Sequence, residues 1–212
     1  MTTPEPPEPQ PSDTSRPAPE DRVHRSSAAL AGGAVLLVVA AWLGVDAALH
    51  GEGRTPWLAL ATLLLVVPLV VAYTLRPAVY VNDDRLRVRN PFRLVVLPWG
   101  RVGTLRSGYS NEVVDRSGAK YQLWALPVSL RARKRAARRD MRATGEAARA
   151  GDARRGPVRA GTDRIMDDLR ELHEARADAP GAQGEVTVRW AYEVLAPAAA
   201  GAVLLVVLLA TG

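Results

Sequence analysis

The chain has 212 residues, 48% of them hydrophobic and 24% charged, and 28 lysines and arginines against 22 acids give a net charge of +6. It contains no cysteine, which excludes disulfides, thiolate metal sites and cysteine nucleophiles. So much apolar and so much charged sequence in one short chain points to separate blocks.

Residues Met1 to Asp21 hold seven prolines and five acids but no large apolar side chain. Such a segment cannot bury enough surface to offset its ordering entropy, so residues 1–26 read as a disordered Pro-rich tail. Three apolar runs are spread along the rest of the chain. No charge occurs from Ser27 to Val45, from Pro56 to Leu75, or from Val194 to Gly212. Each run reaches the roughly 18 to 20 residues that cross about 30 Å of hydrocarbon as a helix, which predicts transmembrane helices over 27–49, 56–75 and 190–211. Trp57, Tyr73, Trp190 and Tyr192 lie at the ends of the second and third runs, where amphipathic rings favour the headgroup region. The third run is the weakest, because Ala196 to Ala202 is only mildly apolar and a buried helix is its alternative reading.

A cleaved signal peptide does not fit the first run, which follows a long Pro/Glu-rich tail and exceeds the usual 7 to 15 apolar residues. Orientation follows from arginines near the span ends. Arg16, Arg22 and Arg25 precede the first span, Arg54 alone separates the first two, and Arg76, Arg85, Arg87, Arg89 and Arg93 follow the second. By the positive-inside rule the amino terminus and the middle region face the cytoplasm of a multi-pass plasma-membrane protein, and the Asp46–Thr55 loop faces outward. Small residues one turn apart, at Ala28/Gly32 and Ala198/Ala202, read as chance in so alanine-rich a chain. Pro68 is a candidate bend. Spans without central charges show no transport pathway.

Between the second and third spans the periodicity changes to two. Ala78–Val81 predicts a strand and Asn82-Asp83-Asp84 a turn. The alternating Arg85-Leu-Arg-Val-Arg89 then predicts a strand with Leu86 and Val88 inward and three arginines outward. Asn90-Pro91 turns the chain into a strand over Leu94–Leu97, broken by Pro98-Trp99-Gly100. Further strands are expected at Val102–Arg106, Glu112–Asp115 and Lys120–Trp124, the last two joined by Arg116-Ser-Gly118. Six short strands with tight connections indicate a sandwich or small barrel. In a domain this small Trp99 is expected in the core.

The succession Leu86-Arg-Val-Arg-Asn-Pro-Phe92, Leu97-Pro-Trp-Gly-Arg-Val102, Asp115-Arg-Ser-Gly118 and Tyr121-Gln-Leu-Trp-Ala125 resembles the bacterial pleckstrin homology (PH) domain family of short actinobacterial membrane proteins. The resemblance covers about residues 76–126. It implies a PH-like β sandwich, a helix closing one end, fusion to transmembrane helices, and a binding role rather than a catalytic one. No lipid site carries over residue by residue. The expected fold class is thus an α+β membrane protein, with three transmembrane helices plus a small antiparallel PH-like β sandwich with a partly helical basic insertion.

That insertion, residues 127–160, is rich in alanine and arginine. Beyond it Ile165, Met166, Leu169 and Leu172 recur at helical spacing, predicting an amphipathic helix over 161–178 that is either the closing helix or a membrane-proximal stalk. Glu185–Trp190 alternates like a strand, or is an extended lead into the third span.

From Arg76 to Arg189 there are 24 basic and 14 acidic residues. Arg131, Arg133, Lys134, Arg135, Arg138 and Arg139 place six positive charges in nine residues, each worth on the order of 1 kcal/mol near anionic lipid. These six, with Arg85, Arg87 and Arg89, are the candidate lipid-surface residues; the bland alternative is a solvated, topology-setting face. The implied partners are the membrane, its anionic phospholipids, and other membrane proteins. Nucleic acid is the weaker reading, because no recognition helix or aromatic platform accompanies the charge. No cofactor is implied. His24, His50 and His173 fall in three separate regions, and no Gly-rich phosphate cradle precedes a helix, so the expectation is a protein that is not an enzyme.

Overall fold

The computed structural model describes residues 20–128, 138 and 161–211. The tail expectation up to residue 19 and the basic-insertion expectation over 129–160, apart from Arg138, lie outside the described residues. Among the described residues eight strands form two antiparallel sheets. The first sheet has five strands: β1 (Arg22–His24), β2 (Ala78–Val81), β3 (Arg85–Arg89), β4 (Arg93–Pro98) and β8 (Thr187–Trp190), in the order β1-β2-β3-β4-β8. The second has three, β5 (Val102–Ser107), β6 (Asn111–Asp115) and β7 (Lys120–Gln122).

Local chemistry explains the connections. The Asn82 side chain accepts from the amides of Asp84 (3.0 Å) and Arg85 (2.9 Å), tying the β2–β3 turn. The Asp115 carboxylate accepts from Ser117 N, Ser117 Oγ and Ala119 N at 2.6–2.9 Å, which closes the β6–β7 turn around Gly118 with its φ of 90°. Pro98 has no amide to continue the ladder, and a 3₁₀ turn at Trp99–Arg101 carries the chain from the first sheet to the second.

The two sheets share one core. Val79, Val81, Leu86, Val88, Val95 and Leu97 from the first meet Val102, Leu105 and Val113 from the second, all buried. Trp99 lies in that core with no exposed surface, its Nε1–H donating to the Asn82 carbonyl at 2.8 Å. Helix α3 (Gly161–Arg176), whose place was open between closing helix and stalk, is the closing helix: Met166 and Leu169 are buried in the same core, and the helix packs on β5 and the Trp99 turn.

One element differs from the sequence reading, and one that was left open is a strand. Arg22–His24, assigned to the disordered tail, pair with Val79–Val81 as an edge strand. Three residues without alternation or turn signals carry no readable pattern, and they are extended here because β2 offers them an open edge. Thr187–Trp190, left between strand and lead, pair with β4 through Arg93↔Trp190 to Val96↔Thr187.

Among the described residues three helices are long and apolar enough to cross a membrane. Helix α1 (Ser27–His50) starts at an N-cap, Ser26, whose Oγ accepts from Ala29 N. Helix α2 (Thr55–Val70) continues as a π-helical turn over Val71–Leu75, just after Pro68 removes one amide from the ladder. Helix α4 (Tyr192–Ala210) packs against α2, as does α1. Glycines set these approaches. A Cβ on Gly33 would overlap the Thr74 side chain, and one on Gly201 would overlap the backbone of Leu64 and Leu65. The close contact in α1 therefore uses Gly33; its neighbour Gly32, in the spacing noted from sequence, faces open space.

Candidate functional site

All three apolar helices join the same end of the same sheet. His24 ends β1 just before α1 starts, α2 runs into β2, and Trp190 ends β8 just before α4. Because β1, β2 and β8 belong to one antiparallel sheet, these junctions and the Asn90–Phe92 turn between β3 and β4 gather at one edge. Arg76, only 7% exposed, fixes this edge. Its guanidinium reaches Glu193 of α4 at 2.6 Å and the Asn90 carbonyl at 3.3 Å, locking the end of α2 to the start of α4.

At this edge the sandwich opens. Between the β3–β4 turn and β4 on one side, and β7 on the other, lies a pocket of about 330 Å³ lined by Tyr73, Phe92, Arg93, Lys120, Tyr121 and Trp124, among others. Tyr73, in the last turn of α2, stacks edge-on to Phe92 at 5.3 Å and lies 5.5 Å from Trp124. The Arg93 guanidinium lies over the Trp190 ring at 4.9 Å. Burial pushes the Tyr121 phenol up, the Asp115 charge adds to that, and Arg93 opposes it. Arg93 and Lys120 form no ion pair with described residues, whereas Arg76, Arg101, Arg170 and Arg176 are paired with Glu193, Glu185, Asp167 and Asp83.

The outer face of the five-stranded sheet carries Arg85, Arg87 and Arg89, with Leu86 and Val88 fully buried beneath. The three arginines are not equivalent. Arg85 is exposed at the end far from the helices. Arg87 is half-buried, ion-paired with Asp21 and stacked over Tyr80 at 5.1 Å. Arg89 lies at the helix-joined end beside the Tyr80 hydroxyl, which accepts from Arg25 at 3.2 Å. Burial raises the Tyr80 pKa, but the hydrogen bonds and charges of Arg25 and Arg89 outweigh it and hold the phenol below its usual range. Beside the stripe is a groove of about 470 Å³, lined by Arg85, Arg87, Leu94, Val96, Glu185 and Arg189 among others. Arg138 is exposed; Arg131, Arg133, Lys134, Arg135 and Arg139 lie outside the described residues.

The sequence reading missed Arg93, Lys120 and Trp124. Arg93 starts β4 of the first sheet, whereas Lys120 starts β7 of the second and Trp124 follows it, and of the pocket residues only Tyr73 carried a signal, as an aromatic at a span end. Among the described residues no group of His, Asp and Glu could hold a metal ion.

An apolar helical bundle carrying a two-sheet α+β module with a closing helix defines the class. Residues 76–155 match the family model described as Bacterial PH domain, the family that the Arg-Asn-Pro-Phe turn and the Pro-Trp step pointed to. The match covers well under half of the chain, and β1, α3, β8 and all three apolar helices fall outside it. No curated protein and no solved structure matches.

Proposed function

We propose that this chain is an integral membrane protein whose PH-like module lies at the cytoplasmic face and acts by binding or scaffolding rather than by catalysis. The observation that carries this is the convergence of three apolar helices on one edge of one sheet, which leaves the module on one side of the bundle. The helices support it further. At about 1.5 Å per residue they run about 28 to 36 Å, close to the hydrocarbon thickness, and they expose large apolar side chains, Val35, Val38, Trp42 and Val206 among them at 62–70%. The arginine bias supports the orientation, since the hairpin loop between α1 and α2 carries only Arg54.

The family likeness supports a binding role, for which two partner classes stand. Anionic lipid is favoured by the unpaired cations at the helix-joined edge and by the run Arg131, Arg133, Lys134, Arg135, Arg138 and Arg139. A protein partner is favoured by the mixed-charge groove beside Arg85, which runs along the outer face of the five-stranded sheet. Affinity purification from native membranes separates them: a defined protein retained after Arg85→Gln and Arg87→Gln removes that groove from consideration.

The absence of cysteine makes topology testable without background. Glu52→Cys in the hairpin loop is expected to react with an impermeant maleimide on intact cells, and Tyr109→Cys, fully exposed on the module, only after lysis. Labelling of Tyr109→Cys in intact cells would overturn the orientation.

A further inference from the structure

We infer that the mouth of the sandwich between β4 and β7 is a headgroup site for one anionic glycerophospholipid, its phosphate held by Arg93 and Lys120 and its glycerol and upper acyl region by Tyr73, Phe92 and Trp124. This rests on the membrane placement proposed above and goes beyond it, because it assigns residues outside the basic stripe and the polybasic run.

Three observations converge. The first is position. Tyr73 belongs to the last turn of α2 and Trp190 ends one residue before the Tyr192–Ala210 helix, so the pocket lies where the apolar bundle ends. That is the depth of a phosphate in a bilayer, and the depth favoured by aromatic rings. The second is charge. Arg93 and Lys120 have no carboxylate partner among the described residues, while Arg76, Arg87, Arg101, Arg170 and Arg176 do. Stacking of Arg93 on Trp190 holds the guanidinium fork in place, with no hydrogen bond to a described residue, the arrangement that suits a phosphate in two-pronged contact. The third is shape. The pocket of about 330 Å³ reaches from these cations past Tyr121 to Val95, at the edge of the core. It is large enough for a glycerophosphate headgroup and too small for a folded partner. Its wall is mixed, polar at the β7 side and aromatic at the α2 side, as an amphiphile requires.

The test uses the full chain purified in detergent and native mass spectrometry of bound adducts. Phosphatidylglycerol, phosphatidylcholine and glycerol 3-phosphate are titrated separately. One phosphatidylglycerol is expected to bind before any second, and phosphatidylcholine more weakly. The double variant Arg93→Gln/Lys120→Gln is expected to lose about 30-fold in affinity, equivalent to about 2 kcal/mol for two cations at a lipid phosphate. Arg106→Gln, an exposed β5 arginine that lines neither the pocket nor the groove, serves as the control and stays unchanged. Equal phosphatidylglycerol affinity in the double variant, or equal affinity of the wild type for the two lipids, overturns the site. Glycerol 3-phosphate binding as tightly as the lipid also overturns it, by making the ligand a soluble phosphate. If hydrogen exchange shows the double variant unfolded, Arg93→Lys replaces it: it keeps the charge and removes the fork, and unchanged affinity there overturns the role of Arg93. Failure here with correct labelling of Glu52→Cys and Tyr109→Cys sinks the lipid site alone; reversed labelling sinks the placement.

Discussion

Truncating Trp99 tests whether the module is one cooperative core. The ring sits at the corner where the chain leaves the first sheet for the second, with no exposed surface, and its neighbours include Leu86, Leu97 and Met166 of the same cluster. Trp99→Ala opens a cavity at a cost of about 3 to 5 kcal/mol. It also removes the donor that satisfies the Asn82 carbonyl, for about 1 kcal/mol more. Against a typical stability of about 5 to 15 kcal/mol, that brings the module close to unfolding while detergent still supports the helices. The assay is hydrogen exchange of the full chain in detergent, read at the amides of β3 and β4. Every 1.4 kcal/mol is tenfold, so protection is expected to fall by about 10³ to 10⁴. Trp99→Phe keeps most of the apolar volume and loses the hydrogen bond, so its loss of protection is much smaller. Unchanged protection at β3 in Trp99→Ala would refute the reasoning, because the ring would then contribute nothing to a core that encloses it.

Further expectations rest on single interactions. Burial lowers the pKa of His173, which Arg116 reinforces and Glu174 and a backbone contact to Trp99 oppose; burial likewise lowers that of His24, against Asp168. For both, the unfolded chain binds protons more readily, so their contribution is complete above about pH 6.5 and is lost as pH falls from there through the lower folded values. Denaturation midpoints from pH 7.5 to 5 are expected to decline, and to decline less in His173→Gln; a rise on acidification contradicts the assignment. Asp115→Ala removes an acceptor of several hydrogen bonds in the β6–β7 turn, with an expected cost of about 1.5 to 3 kcal/mol, read as loss of protection at Val113 and Val114. Gly201→Leu forces α4 off the Leu64–Leu65 backbone and is expected to cost about 1 to 3 kcal/mol, seen as a lower aggregation temperature in detergent, whereas Gly32→Leu leaves it unchanged. Excising residues 76–177 deletes β1 and β8, and the fragment is expected to self-associate in sizing chromatography through the bared edges of β2 and β4.

What the sequence made legible follows from how local each signal is. The alternation of Arg85 to Arg89 reports burial of one face directly, and Leu86 and Val88 are fully buried. Apolar length marked the helices for the same reason: spanning capacity is a property of one continuous segment. Strand β1 was hidden because Arg22-Val-His24 becomes a strand only through pairing with Val79–Val81, more than fifty residues away. The closing role of α3 was ambiguous because its apolar stripe states that something is covered but not what covers it. The pocket was hidden most completely. Arg93 begins a strand whose inward residues are Val95 and Leu97, so its register places it on the inner side, and only the gap at the end of the sandwich exposes it.

The direction of the strands changes which charges can act on a bilayer. Read linearly, Arg85, Arg87 and Arg89 form the most basic face of the module. In the fold they run along β3 away from the helices, and at about 3.4 Å per residue Arg85 lies about 13 Å farther out than Arg89. Screening at physiological salt has a length of about 8 Å. On the proposed placement, therefore, anionic headgroups attract Arg89 strongly and Arg85 weakly, and Arg87 is already neutralised by Asp21. Arg93 and Lys120 stand at the near edge, unpaired among the described residues. The stripe that dominates the sequence is thus poorly placed for lipid, while its far end borders the groove lined by Arg189 and Glu185. On that placement a cationic mouth at the helix-joined edge and a mixed-charge groove along the outer face of the sheet are separate surfaces, so a lipid at one would leave the other open to a protein partner.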